Sequence, residues 1–166
     1  MRRLRRMLGR ADSPQLLALE EQIAVRSKPA IVSWCLDCCE QEILPIYRRH
    51  RDDLLAAETI EAARSWMRGE IRLPEARRSI LALHAAARQM EGDPAGQAAA
   101  RAIAQSASSI HSVRHALGLF LYGAAAIAYE RWGLELSAAQ YERIAEAECG
   151  RMLARLKADG WQGEGS

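Results

Sequence analysis

Aromatic residues make up only 5% of this 166-residue chain, with a single Phe, and lysine is nearly missing: all but two of the 23 basic residues are arginine. Any core must therefore be assembled from Ala, Leu and Ile. Long apolar runs are missing too. The longest uncharged stretch, Ala116–Tyr129, falls short of the roughly 20 residues a bilayer span needs. It predicts a buried core helix in a soluble chain. Alternating β-branched runs are absent, so no strand is predicted. The paired arginines Arg2-Arg3 and Arg5-Arg6 lead into Asp12, Pro14, Glu20 and Glu21 instead of an apolar segment, which predicts no secretory signal. The expected compartment is the reducing cytoplasm, with Cys35, Cys38, Cys39 and Cys149 as thiols.

The formal net charge of +2 hides an asymmetry. Arg2, Arg3, Arg5, Arg6 and Arg10 face no acid within the first ten residues, while the rest of the chain holds more acids than bases. A broad positive footprint for nucleic acid is not expected on the body, and only the arm could play that part. Leu4, Met7 and Leu8 opposite those arginines predict a short amphipathic helix over Met1–Gly9.

What is present reads as helix after helix, punctuated by Pro and Gly. Ser13-Pro14 opens the first, to about Arg26. Lys28-Pro29 breaks the chain before a second, from about Ala30 to His50, which Pro45 should kink. Asp52 or Asp53 caps a third ending at Gly69, and Pro74 starts a fourth through Met90. Gly92-Asp93-Pro94 is a stop followed at once by a cap and a start. The helical pattern from Ala95 to Trp132 is too long for one globular helix, so a break is expected near Ser106–Ser112. Gly133 stops it, and Ser137 caps a last helix. These signals predict an all-α, single-domain bundle of about seven mostly antiparallel helices over residues 13–158. A basic arm, 1–12, precedes it and a flexible tail, 159–166, follows.

Three blocks carry a resemblance: WCLDCCEQEILPIY (Trp34–Tyr47), IEAARSWMRGEI (Ile60–Ile71) with EARRSILALHAAAR (Glu75–Arg88), and the Ala-rich segment Ala95–Ala126 with two histidines four apart. In these the chain resembles the Imm-five-like immunity proteins, small all-α bacterial proteins whose role in neutralising a polymorphic toxin is inferred from gene context. Asp53-Leu54-Leu55 and Ser109-Ile110-His111 depart from the family's Arg-Pro and Thr-Ala-His at those places. The arm and the last helix lie outside the resemblance. It implies a cytoplasmic, non-catalytic protein whose partner is a cognate toxin, with no cofactor, and it assigns no site residues.

The residues themselves leave a second reading open. His111 and His115, four apart on a helix, would project together and could share a metal ion or small ligand with His84, Asp37 and Cys38. Satisfied core histidines and core thiols are the plainer reading. His111 lacks a following Glu, so no zincin pattern forms, and no G-x-S-x-G or Gly-rich phosphate loop is present. For a protein partner, Trp66 and the arginines Arg48, Arg49 and Arg51 are the candidate contacts, because Trp and Arg dominate interface hot spots. The apolar helices could also support a homodimer.

Overall fold

The computed structural model describes residues 3–159. Ser13 accepts from the Leu16 N–H at 3.3 Å and opens α1 (Pro14–Val25). Ser27 caps the next helix in the same way, through the Ala30 N–H at 3.2 Å, so α2 (Lys28–Cys38) contains the Lys28-Pro29 step instead of following it. A proline in the first turn costs nothing there, since its missing N–H has no helical partner anyway.

One turn of π-helix, Cys39–Ile43, joins α2 to α3 (Leu44–His50). Pro45 has no N–H to return to residue 41. The backbone widens just ahead of it, with the Leu44 N–H reaching back to the Cys39 carbonyl. The expected kink thus takes the form of a π-turn inside one continuous rod.

The Asp53 carboxylate accepts from the Leu55 N–H at 3.1 Å at the start of α4 (Leu55–Met67), and Gly69, at φ +74°, turns the chain after it. Next comes α5 (Leu73–Arg88). Asp93 caps α6 (Pro94–Ser108) through the Gly96 N–H at 3.2 Å. The predicted break follows: α6 ends, and a 3₁₀ turn at Val113–His115 leads into α7 (Ala116–Trp132). Gly133, at φ +77°, ends α7. Ser137 and Gln140 then form a reciprocal capping box at the head of α8 (Ala138–Asp159), at 3.2 and 2.8 Å.

The core is built around α6, which packs most extensively on α7 and also touches α5, α4, α3 and α2. Ala98, Ala99, Ala100, Ala102, Ala104 and Ala107 are all buried on it. Small side chains let the neighbouring backbones close in, which replaces the missing aromatic volume. α4 and α5 pack on one side of the α6–α7 pair, while α8 lies against α7 and α1. With the α2–α3 rod counted once, the described residues form an all-α, single-domain bundle of seven helices without a strand. None of these helices is long and apolar enough to cross a membrane.

The arm departs from expectation. Residues 3–12 contain no helix. Leu8 is buried, and its N–H donates to the Leu121 carbonyl at 3.1 Å. Tyr129 donates its hydroxyl to the Arg5 carbonyl, and Arg5 and Arg6 form ion pairs with Glu142 and Glu91. Two helical turns cannot sustain themselves in water, whereas the irregular, bent arm buries Leu8 and satisfies a backbone carbonyl on α7. Residues 1–2, and the expected tail beyond Asp159, lie outside the described residues.

Candidate functional site

His111 and His115 do not share a helix. The break after α6 places His111 in a turn and His115 in the 3₁₀ turn, with their rings edge-to-face at 5.0 Å between centroids. The Nδ1 of His115 lies 2.8 Å from the Gln105 side-chain oxygen, so that nitrogen carries the proton. His84, on α5, accepts a hydrogen bond at Nδ1 from the Arg101 guanidinium at 2.6 Å. Arg101 can only donate, so this geometry requires a neutral imidazole. Burial, and then the charges of Arg101, Arg88 and His115, lower the pKa of His84 below the ordinary histidine range. Burial is also the first cause of the lowered pKa of His111 and of His115.

Asp37 and Cys38 do not join these histidines. Asp37 binds Arg64 of α4 at 2.7 Å, and the Cys38 thiol donates to Glu42 at 3.3 Å. The histidines cluster at the α5–α6–α7 side, while Asp37 faces α4. Among the described residues no group of three or more His, Cys, Asp or Glu side chains is arranged to hold a metal ion. The thiols are buried. Burial pushes Cys149 up to about 12 and Cys35, Cys38 and Cys39 higher still, so none is a ready nucleophile at neutral pH.

The partner candidates divide. Trp66 is half-buried against the core, with the Lys28 ammonium 5.9 Å from its ring centroid. Arg48 is exposed at the end of α3. Arg49 and Arg51 turn to carboxylates of the same chain, Glu130 at 2.6 Å and Asp53 at 2.8 Å.

Two residues that sequence reasoning passed over stand out. His50 joins three elements: Nδ1 faces Asp93 at 2.9 Å and Nε2 faces Glu130 at 2.6 Å. Two carboxylates accept from one ring only if both nitrogens carry protons. Burial opposes that charge, but the Glu130 hydrogen bond and the charges of Asp93 and Glu130 outweigh it and raise the pKa. Nothing in the sequence separates His50 from the arginines beside it. Arg101 did leave a signal: it is a charge set between Ala100 and Ala102 in a helix of core alanines.

Arg101 marks the solvent-facing stripe of α6. That helix is buried except along Pro94, Arg101 and Gln105, with Gln97 nearly covered. On α5 the flanking stripe is Arg77, Leu81, His84 and Arg88; on α7 it continues from His115 through Gly118 to Tyr122. Gly118 permits the close approach, since a Cβ there would lie 2.6 Å from Gln105 Cγ. A separate groove of about 740 Å³ lies between the arm and the α7–α8 connection, lined by Arg3, Leu4, Gln97, Leu134 and Leu136 among others. Trp132, 46% exposed, immediately precedes that connection.

Neither the curated proteins nor the solved structures yield a match to this chain. The sequence pattern of one family does match, over residues 21–155, and this includes most of α8, which the three sequence blocks had left out. The match spans the whole α2–α7 core and both stripe-bearing helices beside α6, and on it the chain belongs to the Imm-5 like putative immunity protein family.

Proposed function

We propose that this chain binds a cognate bacterial toxin in the cytoplasm and neutralises it by covering a surface the toxin needs, without chemistry of its own. The family match over residues 21–155 carries the reading. The side chains support it. The thiols are buried and held protonated, and His84 has its Nδ1 occupied by Arg101. The rigid, alanine-packed scaffold offers preformed surfaces, which suits tight association with little ordering cost.

The test is co-expression with any toxin domain that the neighbourhood of this chain's gene encodes. Relief of growth arrest, with the two chains purifying as a complex of fixed ratio, is the expected result. Growth arrest that persists at full expression of this chain, with no complex formed, overturns the reading.

A further inference from the structure

We propose that Arg101 is the seat for a carboxylate side chain of a protein partner, on the solvent-facing stripe of α6 flanked by α5 and α7. This deepens the immunity reading by naming the chemistry of the contact.

The guanidinium of Arg101 is half-buried, and among the described residues its one hydrogen-bond partner is the neutral ring of His84. An arginine presents five N–H donors in a fork that fits a carboxylate. Most of that fork is unused here. A half-buried charge without a counter-charge is costly to the free protein and is repaid when an anion arrives. Of the other half-buried arginines, Arg51 has Asp53 and Arg64 has Asp37 and Glu40, whereas Arg26, among the described residues, has only the Gln22 side-chain oxygen and lies at the end of α1, away from this face.

The surroundings select the ligand by sign. The stripes named above on α5, α6 and α7 contain Arg77, Arg88, Arg101 and two histidines but no acid. Burial is the first cause that weakens the hold of Arg101 on its proton; Tyr122 opposes it, and the charges of Arg88 and Arg6 add to it. Arg6 is paired with Glu91, so the positive charge of this face comes from Arg77 and Arg88, in a chain whose body as a whole has more acids than bases.

The neighbours of Arg101 favour a protein over a polyanion. Leu81 is 64% exposed on the same face of α5, with Tyr122 on the α7 side. A half-buried guanidinium flanked by an exposed Leu and a Tyr is the mixed apolar and charged composition of interface hot spots. Backbone recognition of nucleic acid calls instead for a row of exposed cations spaced along phosphates.

The experiment is an NMR titration of the full chain with a hexaglutamate peptide, following the Arg101 Nε–Hε signal and the His84 ring. Both signals should shift together and saturate. The shifts should collapse in about 1 M salt, where charges are screened within about 3 Å. R101Q should weaken binding about tenfold, the loss of one charge-assisted contact, while R101K should retain part of it. Should R101Q fail to fold, the wild-type Arg101 and His84 signals still decide. Shifts that bypass both residues, or binding unchanged in a folded R101Q, overturn the proposal. So does equal or tighter saturation by inorganic phosphate or oligothymidylate. No toxin enters the titration, so its failure leaves toxin neutralisation standing, and failed neutralisation leaves the carboxylate seat standing.

Discussion

His50 sits between Asp93 and Glu130 with both ring nitrogens engaged, so its contribution to stability depends on its charge. Its folded pKa lies above the ordinary 6.5. The contribution is therefore complete below the unfolded value and is lost as pH rises through the folded one. His84, His111 and His115 have lowered values, so they act oppositely and cost stability as pH falls below that of the unfolded chain. The wild-type profile mixes the two, and H50Q separates them. Glutamine can still donate hydrogen bonds but carries no titratable charge, so it removes the pH-dependent part. Chemical denaturation should show H50Q losing about 1–2 kcal/mol at about pH 6 and much less at about pH 9. An equal loss at both would mean that His50 only fills space. The thiols make a second residue-scale prediction. Native protein should react slowly with a thiol reagent and unfolded protein quickly, because reaction needs a thiolate and access together.

At the scale of elements, what mattered was often one atom. Gly118 and Gly123 both lie on α7, and only structure tells them apart. A Cβ on Gly118 would fall 2.6 Å from Gln105 Cγ and 2.8 Å from Gln105 Cβ, whereas one on Gly123 would meet nothing closer than 3.5 Å. G118A should therefore cost about 1–3 kcal/mol through overpacking. G123A should be neutral or stabilising by up to about 1 kcal/mol, as alanine is the better helix former. Urea midpoints decide both. The helices themselves were legible: Ser13, Asp53, Asp93, Gly133 and Ser137 are local signals, and each acts within a few residues of its place in the sequence. The His111–His115 pair was misread because the spacing rule holds only inside a continuous helix, and the chain breaks there. The π-turn before Pro45 was legible as a disturbance but not in its form.

For the whole molecule, long-range pairing decides what local reading cannot. The arm predicts a helix by itself, yet it is non-helical because Leu8, Arg5 and Arg6 find partners more than eighty residues away. Deleting residues 1–10 should destabilise the bundle by about 1.5–3 kcal/mol, chiefly the burial of one leucine. An unchanged thermal midpoint would show the arm to be a passive cover. The candidate site was legible only in part for the same reason. His84, His115 and Trp66 could be named from sequence, but Arg101 gains its meaning from neighbours on α5 and α7 that no local pattern joins. The proposed role, occupation of a toxin, is tested by growth of cells that express a toxin domain from this gene's neighbourhood, with and without this chain. Restored growth and a stable complex of the two chains are expected. Unrelieved arrest with both chains folded and free of one another would contradict that role.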